Sequence, residues 1–477
     1  MALFSKPIVV HNTCYEIGHG WTPYCVQASL DVSKIVFQEA FKLYGSLYLL
    51  AAILRKRGKS YFVKRLLPET LQSSIFLSVN GTLFLTFFCL WRKLAGCYNF
   101  YNAFICGIPA CTMSLLIERK DRKILGGFYC INSAFLSAYC GAFIAILMER
   151  KSRRGLLAVY LTNLALETGY RMAKYRGLVK PVPHGEVLLF SIASAVYFYF
   201  FRRESGLPQS TISSLQYIVG SSESPQSATS PGHSSNNNEE PQRPRTGVAV
   251  LDKMVARLEA GPRHRLCQHR NGCVLYVLKG CYRLFGMGYA IQAGVKLLSA
   301  LTRLHKQPRL LFDALFNKDN FRLGAFLGSF SALFRLVNCV LRWVRNRDSS
   351  FHGLLSGFVA GWSMLWYKST TIALYTATKM AEMLYVKGIH AGYLPYIKCA
   401  DILIYSVSTA VAFHAAVLEP HTLRPAYWKF LVRVTHGKFC HINRRLLDVF
   451  GTNSSLMYPD YWPTYDPRFT SIKPPTS

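Results

Sequence analysis

Eight apolar stretches near bilayer-spanning length, arranged as two sets of four, constrain this chain more than any other feature. They run over residues 71–91, 131–148, 155–171 and 186–201, and then over 322–343, 352–367, 369–386 and 401–418. At a rise of ~1.5 Å per residue, ~20 residues cross a ~30 Å hydrocarbon core, so the shorter stretches must borrow flanking residues or run with little tilt. The expected fold is all-α: a polytopic transmembrane helical bundle of two tandem repeats with about four to five helices each.

Charge placement points the same way. Lys and Arg total 56 against 24 Asp and Glu, a formal charge of +32, and mean hydropathy is +0.17. A large positive charge suits either nucleic acid or an anionic bilayer surface. Here the basic residues gather where apolar runs end, at Arg55-Lys56-Arg57, Arg119-Lys120, Arg150 to Arg154, Arg202-Arg203 and Arg342 to Arg347. A Lys or Arg at a bilayer centre costs roughly 2.5–3.5 kcal/mol, so such clusters stop a span and sit among phosphate headgroups. The implied partner is a bilayer with anionic headgroups, not nucleic acid. Residues 1–20 carry neither a secretory signal core nor an Arg-rich presequence, and the final Pro475-Thr476-Ser477 is not a peroxisomal import tripeptide, so targeting is expected to be internal. The fourteen cysteines are scattered, many inside apolar runs, which favours free thiols over a disulfide framework.

An internal repeat organises the chain. Tyr160, Glu167, Tyr170, Leu188, Ser191, Ala195, Val196 and Phe198 recur 215 residues later as Tyr375, Glu382, Tyr385, Leu403, Ser406, Ala410, Val411 and Phe413. Upstream the offset becomes 250, pairing Phe76, Leu83, Cys89 and Arg92 with Phe326, Leu333, Cys339 and Arg342. Segment 96–122 is itself echoed by 126–153, a local duplication that adds a candidate span at 101–117. The resulting division is a Cys/His-containing cap at 1–34, a first helical repeat at 35–203, a disordered Ser/Pro/Asn-rich linker at 204–260, a second Cys/His cap at 261–273, a second repeat at 274–418, and an interfacial helix with a tail at 419–477. In that last segment Tyr427, Trp428 and Phe430 interleave with Lys429 and Arg433, as suits a helix lying among headgroups.

Three residue patterns are candidates for special roles. Small residues let membrane helices approach closely, and they recur helically at Gly324 and Gly328, at Gly353, Gly357 and Gly361, and at Ser133, Ser137 and Gly141. Glu167, Glu186, Arg335, Glu382 and Asp401 are ionisable groups within spans. They read either as a polar path, with Arg335 paired to an acid, or as local pairs such as Glu167 with Arg171 and Lys379 with Glu382. His11, Cys14, His19 and Cys25, and again His264, Cys267, His269 and Cys273, offer soft and borderline ligands suited to zinc or a redox-active metal; the other reading is a cysteine-rich cap with no cofactor. No serine elbow, phosphate-cradling loop or metalloprotease histidine pair occurs, and the chain is expected not to be an enzyme.

The opening His11 to His19, Leu49 to Arg57 (LLAAILRKR), Glu149 to Leu157 (ERKSRRGLL), Gly261 to Arg265, Leu323 to Phe330 (LGAFLGSF), Tyr367 to Thr371 (YKSTT) and Leu423 to Phe430 (LRPAYWKF) together resemble the transmembrane protein 135 family. The segment around Gly96 to Arg122 departs from that pattern. Each half is also distantly similar to the mitochondrial preprotein translocase channel family. The closer resemblance implies a protein of peroxisomal and mitochondrial membranes, associated with lipid droplets, that influences mitochondrial fission, peroxisome organisation and fatty-acid metabolism. It implies other organelle-membrane or fission proteins as partners. A transporter or translocase-like channel for lipids, acyl-CoA or ions, and a metal-dependent membrane redox protein, stand as the alternatives; oligomeric state is left open.

Overall fold

A computed structural model of the chain describes residues 8–99, 151–203, 207, 209–223, 256–269, 271–304, 312, 315–398, 400–470 and 472–473. The 131–148 stretch, with Ser133, Ser137 and Gly141, and nearly all of the local duplication lie outside the described residues. The other seven apolar stretches fall on helices. In order these are α1 (Cys14–Ile17), α2 (Cys25–Leu54), α3 (Lys59–Lys64), α4 (Leu66–Ala95), α5 (Lys151–Tyr175), α6 (Gly185–Arg202), α7 (Gln209–Val219), α8 (Cys273–Leu304), α9 (Lys318–Arg345), α10 (Ser350–Gly361), α11 (Thr370–His390), α12 (Ala400–Leu418) and α13 (Pro425–Val434). A two-residue antiparallel ladder joins β1 (Val9–Val10) to β2 (Tyr98–Asn99).

Local chemistry sets the ends of these helices. α9 starts at Asn317, whose side chain accepts from Asp319 N at 3.0 Å, and stops at Asn346, which takes the left-handed conformation. Asp319 in its first turn and Arg342 and Arg345 in its last complement the helix dipole. Among the described residues, four helices are long and apolar enough to cross a membrane: α4, α6, α9 and α12. The 12-residue α10 rises only ~18 Å, too little to span unaided.

The chain divides into two compact units, residues 1–180 with 397–477, and residues 181–396. In unit 1, α2 packs on α4 and α5 on α12, and α13 turns Tyr427, Trp428, Leu431 and Val434 into the same core. In unit 2, α8 packs on α9, and both α10 and α11 pack on α6. The units therefore do not follow chain order. α6, at the end of the first half, belongs to unit 2, and α12, at the end of the second, belongs to unit 1.

Two segments differ from the sequence reading. Residues 209–223 of the supposed linker are folded: α7 spaces Ile212, Leu215, Ile218 and Val219 along one face and lays them on the unit 2 core. Serine-rich composition hides that periodicity. Residues 224–255 lie outside the described residues. The other segment is α13 with the tail, expected as an interfacial helix and a separate tail, which pack into the unit 1 core. Tyr427 and Trp428 are buried, Asn443 N donates to the Ile17 carbonyl at 2.9 Å, and Tyr465 Oη donates to the Glu16 carbonyl. Aromatic residues suited to an interface are equally suited to a core.

Candidate metal centres

Cysteine and histidine side chains converge twice, once in each unit. In unit 1, Cys14, His19, Cys25 and Cys89 bring one Sγ or ring nitrogen each to within 4.8 Å of one another; in unit 2, Cys267, His269, Cys273 and Cys339 do the same. The parts are supplied alike. The cap loop contributes Cys14 and His19, or Cys267 and His269. The first residue of the following long helix contributes Cys25 on α2 or Cys273 on α8, and the helix packed on it contributes Cys89 on α4 or Cys339 on α9. A capping box shapes the first loop: Thr13 Oγ1 accepts from Glu16 N, and Glu16 Oε2 accepts from Thr13 N at 2.7 Å.

Both histidines are oriented by backbone. His19 Nδ1 donates to the Thr22 carbonyl at 2.8 Å, and His269 Nδ1 donates to the Asn271 carbonyl at 2.6 Å. Since a carbonyl only accepts, the proton sits on Nδ1 in each and the Nε2 lone pair is free. His269 Nε2 lies 3.6 Å from both Cys273 Sγ and Cys339 Sγ. His19 is fully buried, and its Nε2 has no hydrogen-bond partner among the described residues. Cys14 and Cys25 sulfurs are 3.3 Å apart and those of Cys267 and Cys273 4.0 Å, and all nine described cysteines are free thiols. Hydrogen bonding to Cys89, with His19 beside it, pushes the Cys14 thiol down to about 4 in spite of burial; bonding to Cys339, with His269 and Arg342 near, takes Cys267 to about 3. Thiolate is the ligand and nucleophile form of cysteine.

His11 and His264, expected as ligands, are elsewhere. His264 Nε2 is hydrogen-bonded to Asn346 Oδ1 at 2.8 Å and its ring faces Trp343, while exposed His11 gives its backbone carbonyl to Arg92. Cys89 and Cys339, 75 and 72 residues from Cys14 and Cys267, take the fourth corner instead. One signal could have found them: Cys89 and Cys339 lie 250 residues apart, as do His19 and His269.

The other singled-out residues occupy different places. Gly353, Gly357 and Gly361 of α10 face α6 so closely that a Cβ would come 2.3 Å from the Phe198 carbonyl oxygen, 2.7 Å from that of Ser194 and 2.4 Å from Ser191 Cα. Gly324 and Gly328 of α9 meet α8 at the carbonyls of Phe285 and Cys281, both at 3.0 Å. The ionisable residues do not form one set. Glu167 and Asp401 belong to unit 1, and Glu186, Arg335 and Glu382 to unit 2. Glu167 is held by Arg171 at 2.6 Å and by Arg424, and Glu382 by Lys379 at 2.6 Å; Glu186 and Asp401 sit in the first turns of α6 and α12. Arg335 has no carboxylate ion pair among the described residues. It donates to the Tyr276 carbonyl at 3.0 Å and stacks 4.5 Å over the Tyr276 ring, which replaces the acid expected.

Two features had no sequence signal. In unit 2, buried Glu223 accepts both Arg342 Nη atoms, at 3.2 and 2.7 Å, and Arg202 Nη1 at 3.3 Å. Unit 1 holds a cavity of about 180 Å3 bordered by α2, α4, α5, α12 and α13.

Long apolar helices with basic ends and a Cys/His cluster in each unit define an all-α, multi-pass membrane protein with cysteine-rich caps. Residues 11–125 and 121–174 match the family described as the N-terminal cysteine-rich region of Transmembrane protein 135, which supports membership of the transmembrane protein 135 family. The two matched ranges overlap at residues 121–125, where the first copy of the duplicated segment gives way to the second. No solved structure matches the chain, and the translocase likeness is not shown.

Proposed function

We propose that this chain is a non-enzymatic protein of peroxisomal and mitochondrial membranes that holds lipid within its helical core and thereby serves organelle division, peroxisome upkeep and fatty-acid handling. The observation that carries the lipid part is the unit 1 cavity. Its volume of about 180 Å3 exceeds the ~150 Å3 void that takes up benzene in an engineered core. Val36, Phe84, Leu161 and Phe413 give it an apolar wall, and Asn80 and Tyr405 place polar atoms in it. Asn80 Nδ2 donates to Tyr405 Oη at 3.4 Å, and buried Asn80 Oδ1 has no partner among the described residues. A mainly apolar wall with a bare acceptor at Asn80 Oδ1 and a bare donor at Trp21 Nε1 among the described residues fits a lipid that carries a single hydroxyl or protonated carboxyl.

The organelles, the fission role and fission-protein partners rest on the family resemblance. The non-enzymatic part rests on the sequence, where no catalytic grouping occurs. A transporter draws less support, since Glu167 and Glu382 are each neutralised by a neighbouring basic side chain. The lipid reading is tested with the full-length chain in nanodiscs and a photoreactive fatty acid. Labelling of α4 and α12 peptides is expected to fall several-fold in Leu161→Trp, which fills the cavity; equal labelling of wild type and variant defeats the reading. Protease protection of tagged termini in isolated peroxisomes and mitochondria tests the location, and signal confined to other membranes removes that part.

A further inference from the structure

We infer that each unit binds one zinc ion in a closed Cys3His tetrahedron, made by Cys14, His19, Cys25 and Cys89 in unit 1 and by Cys267, His269, Cys273 and Cys339 in unit 2. A tetrahedral zinc with ~2.3 Å bonds to sulfur and ~2.0–2.1 Å bonds to nitrogen holds its sulfurs about 3.8 Å apart and sulfur from nitrogen about 3.6 Å. In unit 2 two of the three sulfur–nitrogen separations, those of Cys273 and Cys339 from His269 Nε2, are 3.6 Å, and the Cys267–Cys273 separation is 4.0 Å. In unit 1 the Cys14 and Cys25 sulfurs are 3.3 Å apart, well beyond the ~2.05 Å of a disulfide and about 0.5 Å short of the zinc spacing, so the metal would spread them.

In unit 1 the imidazole argues against mere packing, and in unit 2 the hydrogen-bond neighbours of His269 Nε2 among the described residues are the cluster thiols Cys273 and Cys339. Thiols bury readily as small apolar groups, and clustered cysteines alone would prove little. A fully buried histidine with its Nδ1 hydrogen given to a carbonyl and a bare Nε2 is a different matter, because an orphaned buried acceptor costs about 1–3 kcal/mol unless something occupies it. Backbone carbonyls that fix the Nδ1–H tautomer are the usual outer partners of metal-bound histidine. Two soft-ligand alternatives fit less well. A two-iron cluster spreads its ligands over two metals, whereas these four donor atoms all lie within 4.8 Å of one another, room for one ion. A catalytic zinc keeps a position open, whereas four protein ligands close the shell, so the role is structural.

Three thiolates and a neutral imidazole around Zn2+ leave each centre with one net negative charge. In unit 2 Arg342, which Glu223 and Asp348 already pair, stands beside Cys267, and in unit 1 Arg92 Nε donates to the Asn12 carbonyl of the cap at 2.7 Å. The metal would tie each cap loop to the two packed helices that follow it, α2 with α4 and α8 with α9. The cavity of the lipid reading shares the cap residues Gly18 and Trp21 with the surroundings of His19, but the metal test reads zinc content and thiol reactivity, which lipid binding does not supply.

The test is metal analysis of the full-length chain, purified in detergent without chelator. Two zinc ions per chain are expected in wild type and one in either Cys89→Ser or Cys339→Ser. His269→Cys, which offers a fourth thiolate, should keep two. Cobalt exchange should give thiolate-to-cobalt charge-transfer bands and the intense visible bands of a tetrahedral site. The six cluster thiols should resist alkylation until a chelator is added. Should a cysteine variant fail to fold, wild-type stoichiometry and chelator-dependent alkylation decide the matter alone. Wild-type protein with less than one zinc per chain, stoichiometric iron, a Cys14–Cys25 disulfide in trapped protein, or cluster thiols that alkylate at once would each overturn the inference.

Discussion

Glu223→Ala should destabilise unit 2 far more than its position at the edge of a polar, Ser-rich stretch suggests. The carboxylate is 2% exposed and accepts two bonds from Arg342, itself 1% exposed, one from Arg202, and one from Tyr276 Oη at 3.3 Å. Removing one member of a buried ion pair typically costs ~3–5 kcal/mol, because the other charge is left desolvated. Not everything is lost here. Arg202 keeps Asp348 at 2.6 Å and Asn338 Oδ1 at 2.9 Å, and Arg342 keeps Asp348 at 3.3 Å. The lower end of the range applies, about 3 kcal/mol, or roughly a hundredfold in the folding equilibrium of the unit. The assay is denaturant titration in detergent micelles, followed by the fluorescence of Trp343, Trp362 and Trp366, with each other tryptophan replaced by phenylalanine so that only unit 2 is read. Glu223→Ala/Arg342→Met, which removes both charges, should recover most of the loss. A shift below about 1 kcal/mol for the single variant, or a double variant no better than it, would refute the reasoning.

Glu167 and Glu382 occupy corresponding sequence positions but should respond differently. Glu167→Gln breaks a buried acid shared by Arg171 and Arg424 and should cost about 1.5–3 kcal/mol, while Glu382→Gln loses a half-exposed pair and should cost under about 1 kcal/mol, both measured by denaturant titration. Gly357→Leu places a side chain where the Ser194 carbonyl oxygen lies 2.7 Å from the Cβ position, so a loss of at least about 1–3 kcal/mol and a broadened gel-filtration profile are expected. Gly155→Ala, with nothing within 4 Å, should elute like wild type. Burial raises the Glu16 carboxyl, but hydrogen bonds from Thr470 Oγ1, Thr13 N and Asn12 outweigh it and the net shift is downward. A depressed carboxyl contributes stability above its unfolded value and loses it as pH falls through the folded one. Protease cleavage around 465–473 should therefore rise as pH drops below ~4, and Glu16→Gln should flatten that dependence.

Much of the candidate site was readable before any coordinates. The doubled run of Cys14, His19, Cys25 and Cys267, His269, Cys273 supplied six of the eight clustered side chains, because each run is short and its spacing is carried by the local chain. His11 and His264 were the natural fourth ligands by proximity in sequence, and both were displaced. The His264 ring is bonded to Asn346 and His11 is exposed outside the cluster, whereas Cys89 and Cys339 are brought in by helix packing across more than sixty residues. Small-residue spacing marked the α10 face, but not that its mate would be α6.

By itself, the sequence determined that the chain is helical and membrane-spanning, that its charge belongs at span ends, and that soft ligands recur in both caps. Each of these is a property of residues near one another along the chain, where period and composition report burial directly. Tertiary structure alone decided which helix completes each Cys/His cluster, that α6 packs in unit 2 while α12, α13 and the tail pack in unit 1, and that Glu223 anchors two arginines. Such pairings depend on which apolar faces and desolvated charges find one another across long separations. No local pattern encodes that choice, because the same faces could be satisfied by several partners until the whole unit packs.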